Sequence, residues 1–481
     1  MLNRIVASAS LCLLWPATSI AAGLQETKDQ AMTEAERLAP KTAEISMQLW
    51  EFAEIALEEE RSAALLADYL QTEGFSVERG VAGMPTAFVA SWGEGHPIVG
   101  ILAEYDALPG VGNAAVPERS PREDGVTSGQ GCGHNLFGAA SVTGAVAMKN
   151  IMEEIGLPGT VRLYGSPAEE TVVGKVFMAR AGLYDDLDAA LDWHPSDETK
   201  TRNDPGQAMN SFTVEYFGQA AHGAYDPWNG RSALDGVELL NYGVNMMREH
   251  IEPTTRIHYV ITEGGDAPNV VPEYAKVWYY VRDLSRESVE GYYQRILRIA
   301  EGAALATGTT HKVTLITGVH ECLMNRPMQE AIQANMEMVG DVGFTGEEQE
   351  FGKSLQRYLE IEEKGFVGEV QPLADGIEPA TGGSTDVCEV SYIAPQAGFG
   401  ITTAASKVPW HSWATTACHG TSAGVKGAVA ASKVIAMTGI DLITDPELLQ
   451  AAKKDFLERT GGKAYESPIP ADLEPPLPSW E

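Results

Sequence analysis

Positive charge is what this 481-residue chain has least of. Thirty-four Lys and Arg stand against 67 Asp and Glu, a formal net charge of −33. No cationic footprint exists for phosphates, which excludes nucleic acid as a partner. The same sign argues against adhesion to an anionic membrane surface. Cysteine is also scarce. The five, at positions 12, 132, 322, 388 and 418, are too few for a disulfide scaffold in a chain of this length. If Cys132 binds a metal and Cys12 leaves with an export signal, at most one disulfide remains, and Cys388 with Cys418 is a pairing the sequence permits. Past the N-terminus no segment reads as a membrane span. There is no G-x-x-x-x-G-K phosphate loop and no G-x-S-x-G nucleophile elbow. No internal repeat or low-complexity tract occurs.

What is present is ordinary globular material, 44% apolar and 21% charged, in a length that suggests two domains. The first residues read as an export signal. Arg4 is the only charge before Glu26, an apolar run covers 5–15, and Ser19-Ile20-Ala21 fits the small-x-small rule for cleavage after Ala21 or Ala22. The expected mature protein is periplasmic or secreted, with residues 1–22 removed.

Apolar spacing predicts a helix over 60–71 and another over 138–155, with short strands at 75–77, 87–91, 98–103, 161–164 and 189–191. Strands alternating with helices imply an open α/β sheet. From Ser211 the pattern changes. Strand signals at 212–217, 256–261, 275–281 and 310–316 enclose helices at 232–250 and 287–307. That β-α-β-β-α-β order is ferredoxin-like. An inserted domain is therefore expected at 207–322, with the first domain discontinuous over 23–206 and 323–481. The proline-rich tail from Ser467 reads as extended and surface-lying.

Four segments carry chemistry: Glu104-Tyr105-Asp106-Ala107-Leu108-Pro109, Gly131-Cys132-Gly133-His134-Asn135, Ser166-Pro167-Ala168-Glu169-Glu170 and Trp193-His194-Pro195. Three of them directly follow a predicted strand, where loops of an open α/β sheet converge on a binding crevice. Each alone has an ordinary structural explanation: a turn, a solvated acidic pair, a packed histidine. Thiolate, imidazole and carboxylate converging together are the ligand types of a transition-metal site.

These segments, with Ala220-Ala-His222-Gly-Ala-Tyr-Asp-Pro-Trp-Asn-Gly-Arg231, Ala267-Pro-Asn269-Val-Val-Pro272 and Gly383-Ser-Thr-Asp386, run in order along nearly the whole mature chain. In them the sequence resembles the metal-dependent amidohydrolases of the aminoacylase/carboxypeptidase superfamily. The Cys-Gly-His variant marks the branch that includes hippurate and auxin-conjugate hydrolases. The resemblance implies a metallo-exopeptidase-like catalytic domain with an inserted lid and dimerisation domain. It implies two divalent ions, zinc or manganese, held by Cys132, His134, Glu170, His194 and a late histidine. His411, in Pro-Trp-His-Ser, is favoured for the last place over His419. It further implies Glu169 as general base and Asp106 behind the ligands. His222 would be a lid histidine reaching across from a partner subunit, and Asn269 a binder of the substrate carboxylate. Arg231 and Arg282 are weaker candidates for that last task. Glu104 stands where related branches more often carry Asp and has no assigned role. The implied reaction is hydrolysis of an N-acyl or N-aroyl amino acid, p-aminobenzoyl-glutamate-like substrates favoured, by a homodimer. A dipeptidase or carboxypeptidase, a non-catalytic binding subunit, and an enzyme needing a second, different subunit are the rivals.

Overall fold

The computed structural model describes residues 17–380 and 382–478. The apolar run expected to direct export lies outside the described residues, and the helix Ala17–Arg37 runs through the expected cleavage point.

Strands β1 (Ser76–Arg79), β2 (Phe88–Glu94), β3 (Ile98–Ala103), β4 (Gly159–Gly165), β5 (Ala189–Ser196), β6 (Lys200–Thr201), β7 (Ala208–Phe217), β8 (Arg256–Glu263), β9 (Tyr274–Asp283), β10 (Thr310–Val319) and β11 (Gln396–Thr402) form two sheets. The larger is mixed, in the order β1-β2-β4-β3-β5-β11-β6, with β4, β3, β5 and β11 parallel at its centre. All six residues of β3 are buried, as a central strand covered on both faces requires. Strand alternation divides them. Val99, Ile101 and Ala103 join a core with the helices His134–Ile155 and Ser422–Thr444, whereas Ile98 and Leu102 join Tyr164 and Phe177 on the other face. Ser422–Thr444 is apolar enough to span a bilayer, but most of it is buried inside the protein, where it packs on His134–Ile155.

The smaller sheet is antiparallel, in the order β10-β7-β9-β8. Residues of β9 alternate strictly between buried and half-exposed. The buried set, with Phe212 and Val214, packs under Ala233–Met247 and Arg286–Thr307. Both helices start on serine caps, Ser232 and Ser285, whose hydroxyls accept the amide N–H three residues on.

Where the chain enters and leaves this unit the two connections touch, the Cys322 amide donating to Pro205 O at 2.8 Å. Cys322 is disulfide-bonded to Cys388. The Cys388–Cys418 pairing is thereby excluded: Cys418 is a free, buried thiol packed among Ala404, Val408 and Ala417. The tail is also less superficial than its composition suggests. Ile469 is buried in the second face of the large sheet, and Arg180 Nη1 donates to Pro470 O and Leu473 O, each at 2.6 Å.

Candidate metal centre

The parallel strands of the large sheet end at one crevice. β3 delivers Glu104 and Asp106, β4 delivers Glu169 and Glu170, and β5 carries His194 near its end. Cys132 and His134 sit at the start of His134–Ile155, on either side of Gly133 at φ 86°. A Cβ at Gly133 would lie 2.9 Å from the His419 ring and from Pro195, so only glycine admits this approach. His411 comes from the loop after β11.

Three donor groups form here among the described residues, each with its atoms within 4.8 Å of one another, and two of them share Cys132. One of these two comprises Cys132, His134 and His194, the other Cys132, Glu170 and His411. Metal bonds of about 2.0–2.3 Å at tetrahedral angles set neighbouring donors roughly 3.3–3.6 Å apart. Cys132 Sγ lies 3.4 Å from His194 Nε2, and His411 Nε2 lies 3.5 Å from Glu170 Oε2.

The imidazoles are oriented from behind. His134 Nδ1 lies 2.8 Å from Asp106 Oδ1 and His194 Nδ1 lies 2.7 Å from Pro195 O. Both partners accept, so both Nδ1 atoms carry hydrogen and both Nε2 atoms face the crevice. Asp106 also accepts the Glu170 amide through Oδ2 at 2.9 Å, tying the β3 loop to the β4 loop. His134 Nε2 and Glu170 Oε1 are buried and make no hydrogen bond. Unpartnered buried polar atoms are costly in an apolar setting and fit a cation.

The electrostatics point the same way. Burial, reinforced by Glu104, pushes Glu169 up to about 7. Burial raises Glu170 well above the ordinary carboxylate range despite His134. Burial also raises the Cys132 thiol, with Glu170 adding to it. Burial and then His134 pull His194 down to about 3, leaving it neutral and ligand-ready. A divalent ion placed among these carboxylates and the thiol would offset the penalty that burial puts on their charged forms.

The loop bearing the two glutamates is bent hard. Ala168 and Val172, on either side of the turn Glu169–Thr171, have φ of 57° and 58°, and His411 has φ of 53°. Left-handed backbone at a β-branched valine is rare, and such strain concentrates at functional sites.

His419 is placed differently. Its Nδ1 meets Gln130 O at 2.7 Å and its Nε2 meets Thr403 Oγ1 at 3.3 Å, so both nitrogens are engaged away from the donor groups. His222 and Asn269 are likewise absent from this crevice. They lie together on the small unit, His222 bridged to Val270 and the Gly223 amide donating to Asn269 O at 2.8 Å. His222 is exposed, its Nδ1 accepting the amides of Ala224 and Tyr225. Arg231 turns back on its own loop, donating to Trp228 O and Gly230 O. Arg282 on β9 is the arginine that faces the centre. Its charge acts on Glu169 and His411, and its Nε is buried without a hydrogen bond.

Two buried ionisable groups escape sequence reasoning. Glu59 accepts the Ala168 amide at 2.9 Å and the Thr86 hydroxyl at 3.0 Å, bracing the glutamate loop. Its place in the run Glu58-Glu59-Glu60 resembles solvated surface. Lys175 lies between Glu104 and Asp386. Its only signal was a lone lysine within the apolar stretch Val172-Val173-Gly174-Lys175-Val176-Phe177-Met178.

Residues 208–307 match the peptidase dimerisation domain of the M20 peptidases. Over the whole chain the fold and crevice are those of a hydrolase acting on C–N bonds, and the chain belongs to the M20 family of metal-dependent peptidases and amidohydrolases. It is 36% identical to one of the subunits of p-aminobenzoyl-glutamate hydrolase from Escherichia coli, over 90% of this chain and 95% of that protein. It is 30% identical to the Xaa-Arg dipeptidase of Mus musculus, over 92% and 94% of the two chains. Among solved structures, a dinuclear metal-binding M20 peptidase of Bacillus subtilis shares the fold with a TM-score of 0.56 at 16% identity, covering 85% of this chain and 99% of that one.

Proposed function

We propose that this protein hydrolyses the amide of N-acyl or N-aroyl amino acids, p-aminobenzoyl-glutamate-like substrates first among them, with two divalent ions, zinc or manganese. One observation carries the reading: Cys132 is common to two donor groups, with the carboxylate of Glu169 beside them. A bound divalent ion supplies a water of lowered pKa, near 7, and polarises the carbonyl. Cys132, His134 and His194 would hold one ion and Cys132, Glu170 and His411 the other.

The chain's own residues do the rest. Glu169 takes the proton from the attacking water as oxygen bonds to the amide carbon. When the C–N bond breaks, Glu169 returns that proton to the departing nitrogen, giving a carboxylic acid and an amine, and the acid's own proton then passes to the amine to leave a carboxylate and an ammonium ion. Asp106 keeps His134 Nε2 pointing inward. Arg282 and Asn269 would take the substrate carboxylate, which a chain of charge −33 otherwise repels.

His222 would donate to the developing oxyanion from the partner of a homodimer. β8 supports the dimer. It is an edge strand with Tyr259, Val260 and Ile261 exposed, beside exposed Leu239, Tyr242 and Met246 on Ala233–Met247. Such an edge is ordinarily paired or protected. The same division supports 207–322 as the inserted domain and 23–206 with 323–481 as the catalytic one. Export to the periplasm or beyond is supported by the N-terminal sequence and is compatible with the Cys322–Cys388 disulfide.

A dipeptidase reading has separate support, the 30% identity to Xaa-Arg dipeptidase and an acidic molecule that attracts a cationic dipeptide. Amine release from N-acyl, N-aroyl and dipeptide substrates, with and without chelator and metal restoration, decides between them. Chelator-sensitive release fastest from p-aminobenzoyl-glutamate supports the first reading, and fastest from Xaa-Arg the second. No release by the metal-loaded chain, restored on adding a second, different subunit, makes it part of a hetero-oligomer. Binding without turnover under every condition makes it a binding subunit.

A further inference from the structure

We propose that Glu104 is a further metal ligand of this centre, held in place by Lys175 as a positioning residue. The inference rests on the reading that the crevice binds two ions. Glu104, His134 and Glu169 form a third donor group, again with atoms within 4.8 Å of one another. Glu104 Oε2 is 3.2 Å from His134 Nε2, yet neither atom makes a hydrogen bond. Both atoms lie in a site where Glu104 is 1% and His134 0% exposed, so no solvent takes the place of the missing partner. The distance falls within the separation of neighbouring donors around one ion, about 2.8–3.8 Å for bonds of 2.0–2.3 Å at angles from octahedral to tetrahedral.

The other oxygen of Glu104 is held by a buried lysine. Lys175 is fully buried, its Nζ 2.7 Å from Glu104 Oε1 and 2.6 Å from Asp386 Oδ1. Asp386 also accepts the Lys175 amide through Oδ2 at 2.7 Å, fixing where the lysine begins. Glu104 and Asp386 share one ammonium, and the second oxygen of Glu104 points to His134. Lys175 thus occupies one oxygen of Glu104 and turns the other toward the centre. The same residues join three segments: the end of β3, the helix after the Glu169 loop, and the Gly383-Ser-Thr-Asp386 loop.

Cobalt(II) titration of the metal-free, full-length protein tests this by visible spectroscopy and by counting bound ions. Wild type should take two equivalents, with a thiolate-to-cobalt band that Cys132→Ser removes. Glu104→Gln keeps the shape and loses the charge. It should weaken one of the two equivalents at least tenfold and change the d–d bands while the thiolate band persists. Glu104→Asp keeps the charge balance with Lys175 but falls a methylene short, and should show the same spectral change. Lys175→Met should reproduce it with Glu104 intact. Wild-type affinity and unchanged d–d bands in folded Glu104→Gln or Glu104→Asp overturn the proposal. A wild-type protein that binds no cobalt overturns the two-ion reading instead.

Discussion

At the residue scale, the centre depends on few atoms, and each has a separable task. Glu169→Gln should lower kcat by about 10²- to 10⁴-fold, the usual worth of a general base. Bound metal should stay the same, since the side chain removed belongs to neither Cys132 group. Equal kcat in a metal-loaded variant would remove Glu169 from the mechanism. Glu59 makes a prediction about pH. Burial, with Asp106 adding to it, raises its carboxyl to about 8, whereas in the unfolded chain it is ordinary, near 4.3. Between those values the folded state holds a proton that the unfolded state has lost. The stability from Glu59 is therefore full below the unfolded value and lost as pH rises toward 8. Melting of the metal-free protein across roughly pH 4.5–8.5 should show this fall, and Glu59→Gln should flatten it. An equally steep profile in the variant would place the effect elsewhere. The proposed ligands could be picked out in the sequence because each sits in a short motif, Glu170 and His194 at strand ends. Glu59 and Lys175 could not, because their meaning lies in partners far along the chain.

Elements add covalent and conformational constraint. The disulfide joins positions 66 residues apart and anchors the exit from the small unit to the helix Val387–Ser391. Ser391 Oγ takes the Leu323 amide at 2.9 Å, and buried Glu389 takes the His320 amide at 2.7 Å and the Tyr465 hydroxyl at 2.6 Å. Reduction, or the Cys322→Ser/Cys388→Ser pair, should cost roughly 2–4 kcal/mol of stability, read by denaturant unfolding with and without a dithiol. No shift would mean the hydrogen-bonded contacts alone hold the junction. Elements with strong periodicity were found in place: the helix expected over 60–71 is Glu60–Thr72, and the four strands of the small unit appear in order. The second helix begins earlier than its apolar pattern, at His134, because a polar first turn facing the crevice hides its start. The disulfide partner could not be read, since pairing is decided by which loops meet.

For the whole molecule, the assembly is the quantity to measure. A charge on the exposed edge, Val260→Lys, should convert a dimer to monomer in sedimentation and, if the partner supplies His222, lower activity with it. Mixed dimers of Glu169→Ala and His222→Ala should regain part of the lost activity, because one of their two sites is then intact. Verified mixed dimers without recovery would confine each site to one subunit. The α/β class and the interruption by a second sheet followed from the order of strand and helix signals. The helices before residue 60 did not, because their apolar positions, such as Ile45 and Leu49, acquire meaning only against the core of His134–Ile155.

The topology also sets a timetable. The small sheet draws its strands from one continuous stretch, whereas the large sheet waits for β11, and the crevice waits for His411 and the helix Ser422–Thr444. A nascent chain still attached to the ribosome can therefore finish its smaller unit before the larger sheet closes. If His411 serves as a ligand, a product terminated before it should lack hydrolytic activity, a loss that assay of truncated chains would show.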